Sequence, residues 1–130
     1  SGGRLGLRRA KPGRWGMLRL TTTGRRTGRE HQVILGYLED GPNLVTLAMN
    51  GWAAPEPAWW FNLQAHPDAT VELVGGSRQV TARAAAEGAE RSRLWAKWRD
   101  LDKQADLDGF AAMRTSETAV VILEPSAPPP

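Results

Sequence analysis

The chain contains no cysteine. That excludes disulfides, thiol nucleophiles, Cys-ligated zinc and Cys-bound iron–sulfur clusters, and it fits a reducing, cytoplasmic setting. Histidine is almost as scarce, with only His31 and His66. His66 precedes Pro67 at what reads as a helix end, and Ser77, Ser92, Ser116 and Ser126 have no His–Asp pattern near them, so no hydrolase triad is expected. No apolar run approaches the ~20 residues of a membrane-spanning helix. Asp100, Asp102, Asp106 and Asp108 read as a solvated face rather than a metal site. An enzyme with so little acid–base equipment needs a cofactor to carry its chemistry.

Acidic residues are also nearly missing from the front of the chain. Residues 1–30 hold nine basic side chains (Arg4, Arg8, Arg9, Lys11, Arg14, Arg19, Arg25, Arg26 and Arg29) against Glu30 alone, a net +8 inside a chain whose total is +3. Such an asymmetry implies an anionic partner: nucleotide, nucleic acid, lipid headgroup or polyanionic cofactor. For Arg4 to Arg14 a solvated basic tail is the alternative. No nucleic-acid motif accompanies the charge, so nucleic acid is not expected as a partner. Leu5, Leu7 and Trp15 interleaved with arginines would make residues 4–15 an interfacial segment able to touch a membrane.

The most informative stretch is Thr21-Thr22-Thr23-Gly24-Arg25-Arg26-Thr27-Gly28-Arg29. Glycines let the backbone turn and approach a ligand closely. Arginines offer forked donors matched to phosphate or carboxylate, and threonine hydroxyls and a run of amide N–H groups add further donors. The stretch lacks the Lys-Ser/Thr of a P-loop and the spaced glycines of a dinucleotide fingerprint. It reads as a loop holding an anionic group, with an exposed hairpin turn as the alternative.

Around it the chain alternates short strands with two helices. Strands are expected at Met17–Thr23, Arg29–Leu38, Leu44–Ala48, Thr70–Val74, Arg78–Ala85 and Ala119–Leu123, and helices at Ala58–Ala65 and Ala89–Leu101. Glu39-Asp40-Gly41-Pro42-Asn43 reads as a turn between strands two and three, and residues 102–116 as a loop with a helical turn. Strands that follow one another directly, with only two helices, disfavour a Rossmann fold and suggest a mainly β, α+β domain built as a small six-stranded antiparallel barrel. The expected organisation is a basic flexible segment (1–14), one barrel domain (15–125) and a disordered Pro-rich tail (126–130).

Two further segments carry chemistry. In Leu47-Ala48-Met49-Asn50-Gly51, small residues at a strand end followed by Asn-Gly would let a flat ring lie against the backbone; Asn-Gly is equally an ordinary turn. In Pro57-Ala58-Trp59-Trp60-Phe61-Asn62-Leu63, Trp59 shares a helical face with Asn62 and Leu63. Three consecutive bulky rings cannot all face one core, so at least one should line a pocket or an interface.

These segments, in this order, resemble the deazaflavin-dependent nitroreductase family of actinobacteria. The likeness rests on Thr21–Gly28, on Ala48-Met49-Asn50-Gly51, on Pro57–Leu63, on Ala65-His66-Pro67 and on the Val71-Glu72-Leu73 and Val120–Pro125 strands. It implies a split β-barrel like those that bind FMN, and coenzyme F420, a deazaflavin with a phosphate and a polyglutamate tail. The alternative is a split barrel that binds FMN, a lipid or another flavin-like ligand, without the nitroreductase activity. By that resemblance Thr23, Gly24, Arg25, Arg26, Thr27, Gly28 and His31 would hold the phosphate and tail. Ala48, Met49, Asn50 and Gly51 would lie along the ring, and Ala58, Trp59 and Asn62 would close the other side. The implied reaction is hydride transfer from the reduced cofactor to a small electrophilic acceptor, by a monomer or homodimer. Met49 stands where relatives carry a small hydroxyl residue, Trp52 where they carry a second glycine, and Phe110 and Met113 where nitroreducing relatives carry paired tyrosines. These departures imply an apolar, quinone-like acceptor.

Overall fold

The computed structural model describes residues 6–49, 56–101 and 118–126. Among these the chain forms six strands and two helices: β1 (Gly16–Thr23), β2 (Glu30–Asp40), β3 (Asn43–Leu47), α1 (Ala58–Ala65), β4 (Asp68–Leu73), β5 (Gly76–Ala84), α2 (Ala89–Leu101) and β6 (Val120–Pro125). The strands close into an all-antiparallel barrel in the order β1-β2-β3-β6-β5-β4, with β4 returning to β1. Closure leaves no unpaired sheet edge, the usual hazard of an isolated antiparallel sheet. The expected α+β barrel is therefore the observed fold, and both helices keep their expected bounds. Every strand shifts by one or two residues from its expected bounds, and two of these shifts have a clear cause. Glu39 and Asp40 belong to β2, because Asp40 pairs with Asn43 and the turn shrinks to Gly41-Pro42. Gly41 makes this possible with φ +60, a conformation that side-chain-bearing residues rarely adopt. β4 begins at Asp68 rather than Thr70, since the chain extends as soon as Pro67 has stopped α1.

Alternation along the strands divides the apolar residues into two clusters. Leu18 and Leu20 of β1, Leu44 of β3, Val71 of β4, Val80 and Ala82 of β5, and Val121 and Leu123 of β6 fill the barrel interior. Trp59, Trp60 and Leu63 of α1 join that interior cluster, so α1 plugs one end of the barrel. The opposite faces of β3 and β6 contribute Val45, Leu47, Val120 and Ile122 to a second cluster outside the barrel. There Leu94 and Trp98 of α2 cover them. This explains why β3 and β6 read as nearly continuous apolar runs: both of their faces are buried.

Charge fixes α2 on the barrel. Arg93 and Lys97, one helical turn apart, both reach Asp40 at the β2–β3 turn, at 2.8 and 3.2 Å. At the other end Arg83 of β5 holds Glu90 bidentately at 2.7 and 2.9 Å, and Glu90 accepts the Ala86 N–H at 2.7 Å. The Arg93 hydrogen bond, with help from Lys97, lowers the Asp40 carboxyl from 3.8 to about 2. A folded-state value below the unfolded one gives stability that is present above pH ~4 and lost as pH falls towards 2. The stability difference between wild type and Asp40→Asn should thus shrink as urea melts are moved from pH 6 down to pH 2. A pH-independent difference would show that the cluster is not electrostatic.

Residues 8–14 fold back beside β1. Arg8 exchanges backbone hydrogen bonds with Met17 at 3.1 and 2.9 Å, Lys11 pairs with Arg14, and the Ala10 N–H donates to the Tyr37 hydroxyl at 3.4 Å. Gly16 makes this crossing feasible. A Cβ there would stand 2.5 Å from a Tyr37 ring carbon, 2.6 Å from Ala10 N and 2.7 Å from Arg8 O. Gly16→Ala should destabilise the fold by about 1–3 kcal/mol in thermal melts, because two of these atoms are backbone and cannot swing aside. A neutral result would mean that the 8–10 stretch lifts off freely. The apolar members of the expected interfacial segment are partly taken up by the fold. Trp15 packs on Trp98, ring centroids 6.0 Å apart, and against Gly36; Leu5 lies outside the described residues.

Candidate functional site: an arginine-lined cavity

The β1–β2 connection begins where Thr23 pairs with Glu30, and it is the Gly24–Arg29 loop. Its backbone closes on itself. The Gly24 N–H donates to Arg29 O at 2.7 Å and the Gly28 N–H to Gly24 O at 3.0 Å, with Gly28 in the left-handed region at φ +73. The Arg29 N–H donates to Thr27 Oγ1 at 3.3 Å. The Arg25 N–H donates to Asn62 Oδ1 at 3.1 Å, and Asn62 Nδ2 donates to Thr22 Oγ1 at 3.2 Å. Four of the loop's amides therefore donate within the protein. Among the described residues only the Arg26 and Thr27 amides of the loop are left over for a ligand, so most of its capacity for an anion rests on side chains.

Those side chains face a cavity of about 550 Å³ at the α1 end of the barrel. Arg25, Arg26, Thr27, Arg29 and His31 line one side, Thr22, Gln32 and Val33 the strand wall, and Ala58, Trp59 and Asn62 the helical wall. Arg25, Arg26 and Arg29 have no carboxylate partner among the described residues. Arg25 instead lies over the Phe61 ring, 4.9 Å from its centroid. Gly24 sits in a tight spot: a Cβ would meet His31 Nε2 at 2.8 Å and Arg29 O at 3.1 Å, so a larger residue would make both give way. The volume suits a cofactor-sized ligand, and a cluster of unpaired guanidiniums beside an apolar wall suits one that is anionic at one end and aromatic at the other.

Eight of the residues singled out in the sequence meet here: Gly24, Arg25, Arg26, Thr27, His31, Ala58, Trp59 and Asn62. Thr23 and Gly28 frame the same loop. Ala48 and Met49 are elsewhere. Ala48 is fully buried in the barrel interior, its N–H donating to Ala119 O at 2.9 Å, and Met49 packs against the outer cluster under α2. Asn50, Gly51, Trp52, Phe110 and Met113 lie outside the described residues. Thr22 and Arg29, part of the anion-binding stretch read from the sequence, also line the cavity, and Gln32 and Val33 complete it without having been singled out. The inward parity of Leu18 and Leu20 extends to Thr22. Among the described residues no group of acidic or histidine side chains could hold a metal, and no helix is long and apolar enough to cross a membrane.

The family model for F420H(2)-dependent quinone reductases matches residues 2–125. The chain belongs to that family. Membership makes it an F420-dependent oxidoreductase and narrows the broader nitroreductase likeness to the quinone reductases. A Mycobacterium tuberculosis protein named as an F420H(2)-dependent quinone reductase is 31% identical over 108 residues, 83% of this chain and 88% of that one. A second from the same organism is 33% identical over 94 residues, 72% of this chain but only 62% of the relative's length. A solved F420-H2 dependent reductase superposes with a TM-score of 0.72 at 26% identity, covering 83% of this chain and 93% of its own. The arginine cavity fits the family's cofactor, because coenzyme F420 brings a phosphate and a glutamyl tail to a site with unpaired cations.

Proposed function

We propose that this chain reduces a small apolar, quinone-like acceptor with reduced coenzyme F420, holding the cofactor's phosphate and glutamyl tail in the cavity beneath the Gly24–Arg29 loop. The observation that carries this reading is the set of three arginines that have no carboxylate partner among the described residues, around a cofactor-sized cavity with an apolar wall. When bound, the cofactor supplies the hydride. The protein's own residues bind and orient. Arg25, Arg26 and Arg29 neutralise the anionic end, Thr22, Thr27 and Gln32 add neutral hydrogen-bonding groups, and Trp59 and Val33 offer apolar surface that excludes water. From the family resemblance the acceptor side is assigned to Trp52, Phe110 and Met113 together with Met49, whose described packing is against the outer cluster; this apolar set favours a quinone-like molecule over a nitro compound needing hydroxyl donors. A cytoplasmic location accompanies this reading, supported by the lack of cysteine.

Titrating the protein with oxidised coenzyme F420 and following cofactor fluorescence should give saturable binding, and adding an apolar quinone to enzyme with reduced cofactor should restore the oxidised spectrum. Absence of binding at micromolar F420, with tight binding of FMN, would overturn the reading.

A further inference from the structure

We propose that Phe61 and Asn62 are positioning residues through which α1 sets the location of Arg25, and that this makes the site selective for a cofactor with a long anionic tail. The inference rests on the F420-binding reading above. Two consecutive residues of one helix grip the same arginine at two points. Asn62 is buried and accepts the Arg25 backbone N–H at 3.1 Å. Its own amide donates to the buried Thr22 Oγ1, which anchors the carboxamide to β1 at 3.2 Å. Phe61, half-buried, lies under the Arg25 guanidinium at 4.9 Å.

The two contacts act on different degrees of freedom. The backbone bond fixes where Arg25 leaves the loop, and the ring face restricts where its long side chain goes. An unpaired arginine on an exposed loop otherwise samples many rotamers, and ordering it when a ligand arrives weakens binding. Here that ordering is supplied beforehand by the helix whose own Trp59 forms part of the cavity wall. One rigid element therefore sets both the apolar wall and the nearest cation. Binding of an aromatic ring and of its distant anionic tail is coupled to a single spacing. Asn62 sits in the lining, but the two bonds it makes hold the loop in place.

The test compares coenzyme F420 with the same deazaflavin lacking phosphate and glutamyl tail, for wild type, Phe61→Leu, Phe61→Tyr and Asn62→Ala. Wild type should bind F420 more tightly than the tail-less compound. Phe61→Leu should lose F420 affinity by about two- to fivefold, as loss of an exposed cation–π contact implies, and Phe61→Tyr should restore it. Asn62→Ala should lose about tenfold, the scale of one buried hydrogen bond left unmade. Affinity for the tail-less compound should be unchanged in Phe61→Leu and Phe61→Tyr, whose ring is not part of the cavity lining. Phe61→Leu removes only a half-buried ring and keeps the test open even if Asn62→Ala folds poorly. Equal loss for both ligands would make these residues direct contacts or merely structural, and wild-type affinity for F420 in Phe61→Leu and Asn62→Ala would overturn the positioning role. Failure of wild type itself to bind F420 would instead overturn the functional reading.

Discussion

Replacing Arg25 and Arg26 together with alanine is expected to weaken F420 binding by about a hundredfold or more while leaving the melting temperature nearly unchanged. The affinity term follows from charge-assisted hydrogen bonds, each worth about 1.5–3 kcal/mol, or roughly tenfold or more. The stability term follows from the structure. Neither guanidinium has a carboxylate partner among the described residues, and both side chains are exposed. The loop's own backbone bonds, from Gly24 to Arg29 and from Gly28 to Gly24, do not involve either side chain. Surface changes of this kind alter stability by about 0.5 kcal/mol or less.

The same variant separates charge from shape. Wild-type affinity should fall as salt rises, because the cations are exposed and screened, and the dependence should be shallower once two of them are gone. Arg29 and His31 remain to give residual binding. Fluorescence titration at two ionic strengths measures both effects. If affinity and salt dependence both match wild type, the loop is only a hairpin turn and the anionic end of the cofactor binds elsewhere.

The barrel was readable because its strands announce themselves locally. β3 and β6 are short apolar runs between turn signals, and β5 alternates Val80 and Ala82 with polar neighbours. α1 is bounded by Pro57 and Pro67, and α2 shows one apolar face in Leu94, Trp95, Trp98 and Leu101. The anion loop was readable for the same reason, since its arginines and glycines are contiguous. What escaped depends on contacts distant in sequence. The role of Asn62 lies in partners 37 and 40 residues away, Arg25 and Thr22. Gln32 and Val33 join the site because the β1–β2 register sets them opposite Thr21 and Leu20. Ala48 shows the opposite effect. A small residue at a strand end suggested a platform for a ring, yet it shares the inward parity of Leu44 and is enclosed by the barrel. Parity along β3 contained that information, whereas residue size alone did not.

Trp59 and Trp60 should respond differently to truncation although they are adjacent and equally buried, each 7% exposed. Both belong to the interior cluster and meet edge to face, ring centroids 6.5 Å apart at 66°. Trp→Ala at either position should therefore cost about 3–5 kcal/mol in urea melts. Only Trp59 also lines the arginine cavity. Trp59→Ala should reduce the affinity for F420 and for its tail-less fragment alike, since it removes apolar wall rather than charge. Trp60→Ala, measured cold enough to stay folded, should retain most of both. Trp59→Leu and Trp60→Leu keep more of the core volume and make the comparison possible if the alanine variants do not fold. Similar binding losses at the two positions would mean that α1 moves as a unit when its plug is weakened, and the wall could then not be assigned to one ring. A loss confined to Trp59 would separate the two functions of three consecutive aromatic residues: Trp60 fills the barrel, Trp59 fills it and faces the ligand, and Phe61 turns outward to carry Arg25.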